Sequence, residues 1–253
     1  MQSRTTPPWV ILLGILALSA PLMIAGSLTS ARLLPGLPVS ALMFVATALV
    51  ASWVAYRADG RAGLKRLALA TVDAGRIRPW AWYAISLVVF PVVIIAQSLL
   101  VSAAGAAAGV DIAWRTVPVL FVLLLVAATG EEVAWSAALL IGLFVAFWHV
   151  VPFFQAHSSA SWVLGQCAFT VGFRVVVTWV YVGGRRSVLA ASICHAAYNT
   201  AWQLMPDPVW GYNPWVVAGL TWVVVGVLVA VFGARTLSGP HPTSTSSGRP
   251  TLH

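Results

Sequence analysis

The sequence predicts an all-α fold: a polytopic transmembrane bundle of about eight spans, built from runs near the ~20 apolar residues that cross hydrocarbon. Three observations carry this. Hydrophobic residues make up 60% of the 253 and charged residues only 8%, against roughly 25% charged in soluble domains. Mean hydropathy is +0.91. Basic residues gather in short stretches between apolar runs, the topology signal of helical membrane proteins. The spans must be helices, because a backbone in lipid has to pair its own polar groups.

The expected spans are 9–28, 39–56, 80–104, 116–134, 137–151, 160–182, 187–205 and 214–234. Arg4 ahead of the apolar run from Trp9 resembles a secretory signal. No small-residue cleavage site follows and further spans do, so a retained first helix is expected. The stretch 57–79 holds Arg57, Arg61, Lys65, Arg66, Arg76 and Arg78, with Leu64, Leu67 and Leu69 among them. It reads either as a short helix on the membrane surface or as a solvated basic loop. A single helix over 116–151 would reduce the count to seven spans. It would be about 54 Å long, against ~30 Å of hydrocarbon. It would also put Arg185 and Arg186 on the side opposite the other basic loop. A break between Glu132 and His149 is therefore expected. The tail 235–253 is rich in Ser, Thr, Pro and Gly and is expected to be disordered.

With eight spans, all the Lys and Arg except Arg32, Arg115 and Arg174 fall on one side. This places both termini in the cytoplasm of, most simply, a bacterial plasma membrane. The net charge of +8 thus reports topology, and nucleic acid is not an expected partner. Cys167 and Cys194 both fall inside spans, so no disulfide framework is implied. Trp9, Trp53, Trp80, Trp82, Trp210 and Trp215 sit near span ends, where indoles prefer the interface.

Glu131 and Glu132 stand in an apolar run, 117–151, with no other charged residue. A carboxylate at that depth costs a few kcal/mol when ionised and marks a functional site by default. Two other runs carry matching partners: His149, then His195 with Asn199. His195 and Asn199 are spaced i, i+4 and share a helix face. A carboxylate with an imidazole can deprotonate water, and an imidazole with an amide can hold an oxyanion. Glu131, His149 and His195 are alternatively a zinc ligand set. Each piece also has a plain structural reading as a buried polar contact. Trp135, beside the glutamates, would help to dry the site.

In this order the residues resemble the intramembrane CAAX-type prenyl endopeptidases, the family of CAAX proteases and bacteriocin-processing enzymes. Glu131-Glu132 matches the start of its first motif. Trp148-His149-Val150-Val151-Pro152-Phe153 resembles its second. The run from Thr178 through the glycine turn and Ser187-Val188-Leu189 to His195 and Asn199 resembles its third. The likeness covers about residues 120–200. It implies an N-terminal set of helices over 1–115, a catalytic core over 116–234 and a hydrolase that cleaves a peptide or protein substrate reached from the bilayer. Glu131, with Glu132, would activate water together with His149. His195 and Asn199 would stabilise the oxyanion. Zinc is a possible but not required cofactor.

The chain departs from the family pattern at three places. Ser136 stands where the motif has Arg, Val145 where it has Phe, and the Glu131-to-His149 connection is short. If the chain turns near residue 136, Glu132 is expected near the cytoplasmic face. His149 is then about 20 Å deeper and His195 about 12 Å deeper, so the two histidines meet and the glutamates stay shallow. Arg174 has two readings: a partner for Glu131 or Glu132, or a side chain snorkelling to the headgroups, of which the second is preferred. Two rival functions remain. One is a non-catalytic relative that binds a membrane partner. The other is a small transporter with a Glu/His ion site.

Overall fold

Apolar helix-forming runs punctuated by Pro, Gly and capping Ser or Asn residues set the elements of the chain. The computed structural model describes residues 6–78, 80–105, 114–134, 139–205 and 211–233. The first helix, α1, runs Pro8–Leu28 and opens on a proline at its first position, where the missing N–H is not needed. A two-stranded antiparallel hairpin follows, β1 Arg32–Leu34 and β2 Leu37–Pro38. After a 3₁₀ turn over Val39–Met43, α2 runs Phe44–Ala70. Then come α3 (Ala81–Ala103), α4 (Val117–Glu132), α5 (Leu139–Ala156), α6 (Ala160–Gly183), α7 (Val188–Gln203) and α8 (Pro214–Phe232).

Side-chain caps fix three of these starts. Ser159 accepts from the Trp162 N–H at 3.3 Å and Ser187 from the Ala190 N–H at 3.0 Å. Asn213 accepts from both Trp215 and Val216 N–H, with Pro214 at the first helical position. Such caps satisfy donors that the helix itself leaves open.

The basic segment is helical. α2 kinks where Asp59 and Gly60 leave helical geometry, with Gly60 at φ +57°, a region open to a residue without Cβ. Beyond the kink the helix resumes to Ala70, with Leu64 and Leu69 exposed. Arg57 lies over the Trp53 ring, 5.7 Å from its centroid. The solvated-loop reading of 57–79 is thereby corrected over its helical part.

Six helical stretches of the described residues are long and apolar enough to cross a membrane. The chain is an all-α, multi-pass helical membrane protein. α4 and α5 are separate helices, so the single-helix alternative over 116–151 is not what the chain adopts. α6 packs on α5, α7 and α8, while α7 packs on α3 and α4. One apolar cluster joins α3, α6, α7 and α8 around Phe90, Phe169, Phe173 and Val176. A second joins α1, α2 and α5 around Ile15, Val50 and Trp148. The Trp148 indole donates to Ser19 Oγ at 2.9 Å and ties α5 to α1.

The bundle has two chemically distinct ends. At one, the α6–α7 turn is held by Ser187, whose hydroxyl donates to Asp73 Oδ1 at 2.5 Å. At the other lie the turns at 157–159 and 211–213 and the β1–β2 hairpin. There the Trp215 indole donates to Ser161 Oγ at 3.1 Å, and Gln203 donates to the Pro35 carbonyl at 3.1 Å. The expectations for Arg4, Trp135, Ser136, Trp210 and the tail 235–253 lie outside the described residues.

Candidate functional site

α4, α6 and α7 each bring one polar side chain to a single point. Glu132 is the last residue of α4 and is buried. Arg174 of α6 is 1% exposed. Its guanidinium donates Nη1–H to Glu132 Oε1 at 2.5 Å and Nη2–H to Oε2 at 2.7 Å. This fork-to-fork pairing is the strong geometry for Arg and a carboxylate. His195 of α7, 7% exposed, approaches the same Oε1 with Nδ1 at 2.9 Å. The Phe173 ring meets His195 edge to face at a centroid distance of 4.9 Å. α5 comes close because Gly142 has no side chain: a Cβ there would lie 3.3 Å from the Arg174 Cβ.

These contacts correct two expectations. Arg174 does not snorkel; it is the partner of Glu132. Glu132 is not too shallow for His195. Arg174 lies nine residues before the end of α6 and His195 seven residues after the start of α7. Both therefore sit about 10–14 Å from the α6–α7 turn. Glu132 meets both, so α4 stops inside the bundle, short of that end. The expected depth failed because it assumed that a helix ends at a membrane face.

The other predicted site residues stand around this trio. Glu131, Asn199 and His149 are half-buried. Glu131 has no ion pair or side-chain hydrogen bond among the described residues. His149 Nδ1 lies 2.8 Å from the Val145 carbonyl, and a carbonyl only accepts. The ring therefore carries its proton on Nδ1 and offers a lone pair at Nε2 when neutral. Phe153 stacks on the ring at 5.3 Å. On the α5–α6 hairpin Gly142 faces Arg174, so His149 sits about 10 Å farther along α5 than the level of Arg174. Asn199, one turn beyond His195, makes no hydrogen bond among the described residues.

His195 is set by the same logic. A carboxylate that takes two Arg donors is ionised and can only accept, so His195 Nδ1 carries a proton. Nε2 then accepts in the neutral ring and donates in the imidazolium. Zinc is the one metal that the residue types suggest. Both imidazoles are oriented as metal-bound histidines are, with the other nitrogen tied to an acceptor. The grouping does not follow: among the described residues no three His, Cys, Asp or Glu side chains gather as a metal site. The Arg174 guanidinium already supplies the cation beside Glu132. As the side chains stand, the set Glu131, His149 and His195 does not fit a zinc centre.

A second polar group was not anticipated. Gln166 of α6 donates to Tyr198 Oη at 3.2 Å, and Tyr198 and Tyr212 share a hydrogen bond of 3.1 Å. A sequence signal for it exists. Gln166, Thr170, Arg174 and Thr178 recur every four residues along an otherwise apolar helix, which draws one polar stripe. No protein-family model matches the chain, and no curated protein matches it.

Proposed function

We propose that this chain is an intramembrane endopeptidase of the CAAX type, hydrolysing a peptide bond of a substrate reached from the bilayer. The observation that carries the reading is the meeting of Glu132, Arg174 and His195 from three helices. Burial of two charged groups and an imidazole at one point is costly and needs a reason. In the proposed reaction Glu131 and the Nε2 lone pair of His149 draw a proton from water. The hydroxide adds to the carbonyl carbon. The oxyanion is held by the Asn199 amide and by Nε2–H of His195 in its imidazolium form. Collapse expels the amine, which takes a proton from the Glu131–His149 pair. Glu132 keeps Nδ1 of His195 protonated and oriented, as the carboxylate of a catalytic triad does, and Arg174 holds Glu132. No step needs a metal.

The test is cleavage by purified protein in lipid nanodiscs, with a library of hydrophobic and prenylated peptides read by mass spectrometry. Glu131→Gln and His195→Ala are each expected to lower the rate by about 10²–10⁴-fold, the usual worth of an acid–base or oxyanion group. Unchanged cleavage in both variants would sink the proposal. A zinc chelator is expected to leave the rate unaltered; a loss that added zinc restores would return the metal to the mechanism.

One observation favours a second reading. Both Glu132 oxygens are already occupied, as in a purely structural ion cluster. A catalytically silent protein that binds a membrane partner would keep that cluster and cleave nothing. Absence of hydrolysis across the library, with Glu131→Gln still folded and partner-bound, would support it. The transporter reading has no comparable observation in its favour.

A further inference from the structure

Unpaired buried polar atoms are distributed unevenly around the site. Between it and the 157–159 and 211–213 turns lie Trp162 Nε1, Gln166 Oε1, Thr200 Oγ1 and Trp202 Nε1, each buried and without a partner among the described residues. The Trp162 and Trp202 rings both stand 6.3 Å from Tyr212, centroid to centroid. Tyr212 is in turn bonded to Tyr198, and Tyr198 to Gln166. Two of the three half-buried members of the site, His149 and Asn199, lie on this side too.

Toward the α6–α7 turn the filling is different. Val175, Val176, Val177 and Val180 of α6 share one apolar cluster with Ala190, Ala191 and Cys194 of α7, all at most 8% exposed. The buried hydroxyls there are satisfied: Ser192 donates to the Val188 carbonyl and Ser187 to Asp73. Among the described residues the remaining unpaired buried side-chain atoms are Arg174 Nε in the site itself, Asp73 Oδ2 at the tip of the turn and Thr221 Oγ1 on α8.

An unpaired buried donor or acceptor costs about 1–3 kcal/mol, and native proteins answer such groups with ordered water. This set has two indole donors, one amide acceptor and one hydroxyl. Water, which donates and accepts in two to four bonds, satisfies all of them. We propose that ordered water occupies the region between Trp162, Gln166, Trp202 and Tyr212, and that water reaches the Glu132–His195 site from the Ser158 end of the bundle, through this polar layer. The valine–alanine layer seals the opposite side. The route supplies the hydrolysis proposed above, but its existence does not depend on that reading.

The experiment is thiol labelling of the full chain in sealed membrane vesicles by a membrane-impermeant cationic methanethiosulfonate, added to either face. The background carries Cys167→Ala and Cys194→Ala. Ser158→Cys and Arg185→Cys, both exposed positions, identify which face is which. Gln166→Cys is expected to react from the Ser158 face about tenfold faster than from the Arg185 face, because the reactive thiolate forms only where water reaches it. Val177→Cys is expected to stay unreactive from both. Trp202→Cys gives the same reading should Gln166→Cys not fold. No labelling of either polar-layer cysteine, or faster labelling from the Arg185 face, would overturn the proposal. So would a Val177→Cys that reacts as readily as they do. A chain that labels as expected but cleaves no peptide keeps the water route and loses the peptidase.

Discussion

Arg66–Asp59 and Arg174–Glu132 are the same chemical pair in two surroundings. The first bridges the kink of α2, with side chains 61% and 55% exposed. The second ties α6 to α4, with side chains 2% and 1% exposed. In water the two ions of the α2 pair lose little by separating, so such pairs contribute about 0–1 kcal/mol. In the bundle both ions have been stripped of water, and neither is tolerated alone. Removing one partner of a buried pair costs about 3–5 kcal/mol, although the intact pair adds little over an apolar substitute. The lesson is that the Arg174–Glu132 pair is poor glue. Its retention is better explained by what it positions, the His195 imidazole at 2.9 Å.

The sharpest way to break this contrast is Arg174→Ala. It leaves an ionised Glu132 without its fork and opens a gap against Gly142. The expected loss is about 3–5 kcal/mol, read by reversible unfolding in mixed micelles. Arg174→Lys, a single point donor in place of a planar fork, should fall between this variant and the parent. A loss below about 1 kcal/mol for Arg174→Ala would mean that water reaches Glu132, and the two pairs would cease to differ.

The next effect separates stability from function. Replacing both partners, Glu132→Leu with Arg174→Met, removes both charges and keeps an apolar volume. Buried pairs treated this way are often neutral or gain about 1–4 kcal/mol. The double variant should therefore unfold near the parent while His195 loses its anchor and peptide hydrolysis disappears. Recovery of both stability and hydrolysis would show that the pair positions nothing.

Most of the architecture was legible in the sequence because hydrocarbon leaves the chain few options. Apolar runs had to be helices, and the span boundaries follow from Pro8, Pro214 and the capping residues Ser159, Ser187 and Asn213. The candidate residues were legible one at a time, since Glu131, Glu132, His149, His195 and Asn199 are polar groups in apolar runs. Their partnerships were not. Which glutamate meets which histidine depends on where α4 stops relative to α6 and α7, and that is a packing outcome rather than a local one. The pairing of Arg174 was hidden for the same reason. The four-residue polar stripe from Gln166 to Thr178 was the available hint that α6 turns its polar face inward. The helix beyond Asp59–Gly60 was ambiguous because a basic segment with scattered leucines fits a loop as well as a surface helix.

The smallest effect tests the solvent-exposed half of the comparison. Asp59→Ala removes the partner of Arg66 at a residue whose backbone is already outside the helix, so no helical hydrogen bond is at stake. Arg66 keeps full hydration, and Gly60 continues to set the kink through its left-handed backbone. The expected change is within about 0.5 kcal/mol at moderate salt and vanishes as salt screens the pair. Equilibrium unfolding of parent and variant at low and high ionic strength measures it. A loss above about 2 kcal/mol that salt does not remove would mean that headgroups or neighbouring helices dehydrate the α2 pair. The kink would then be held by a partly buried ion pair, and Asp59–Arg66 would belong with Glu132–Arg174 after all.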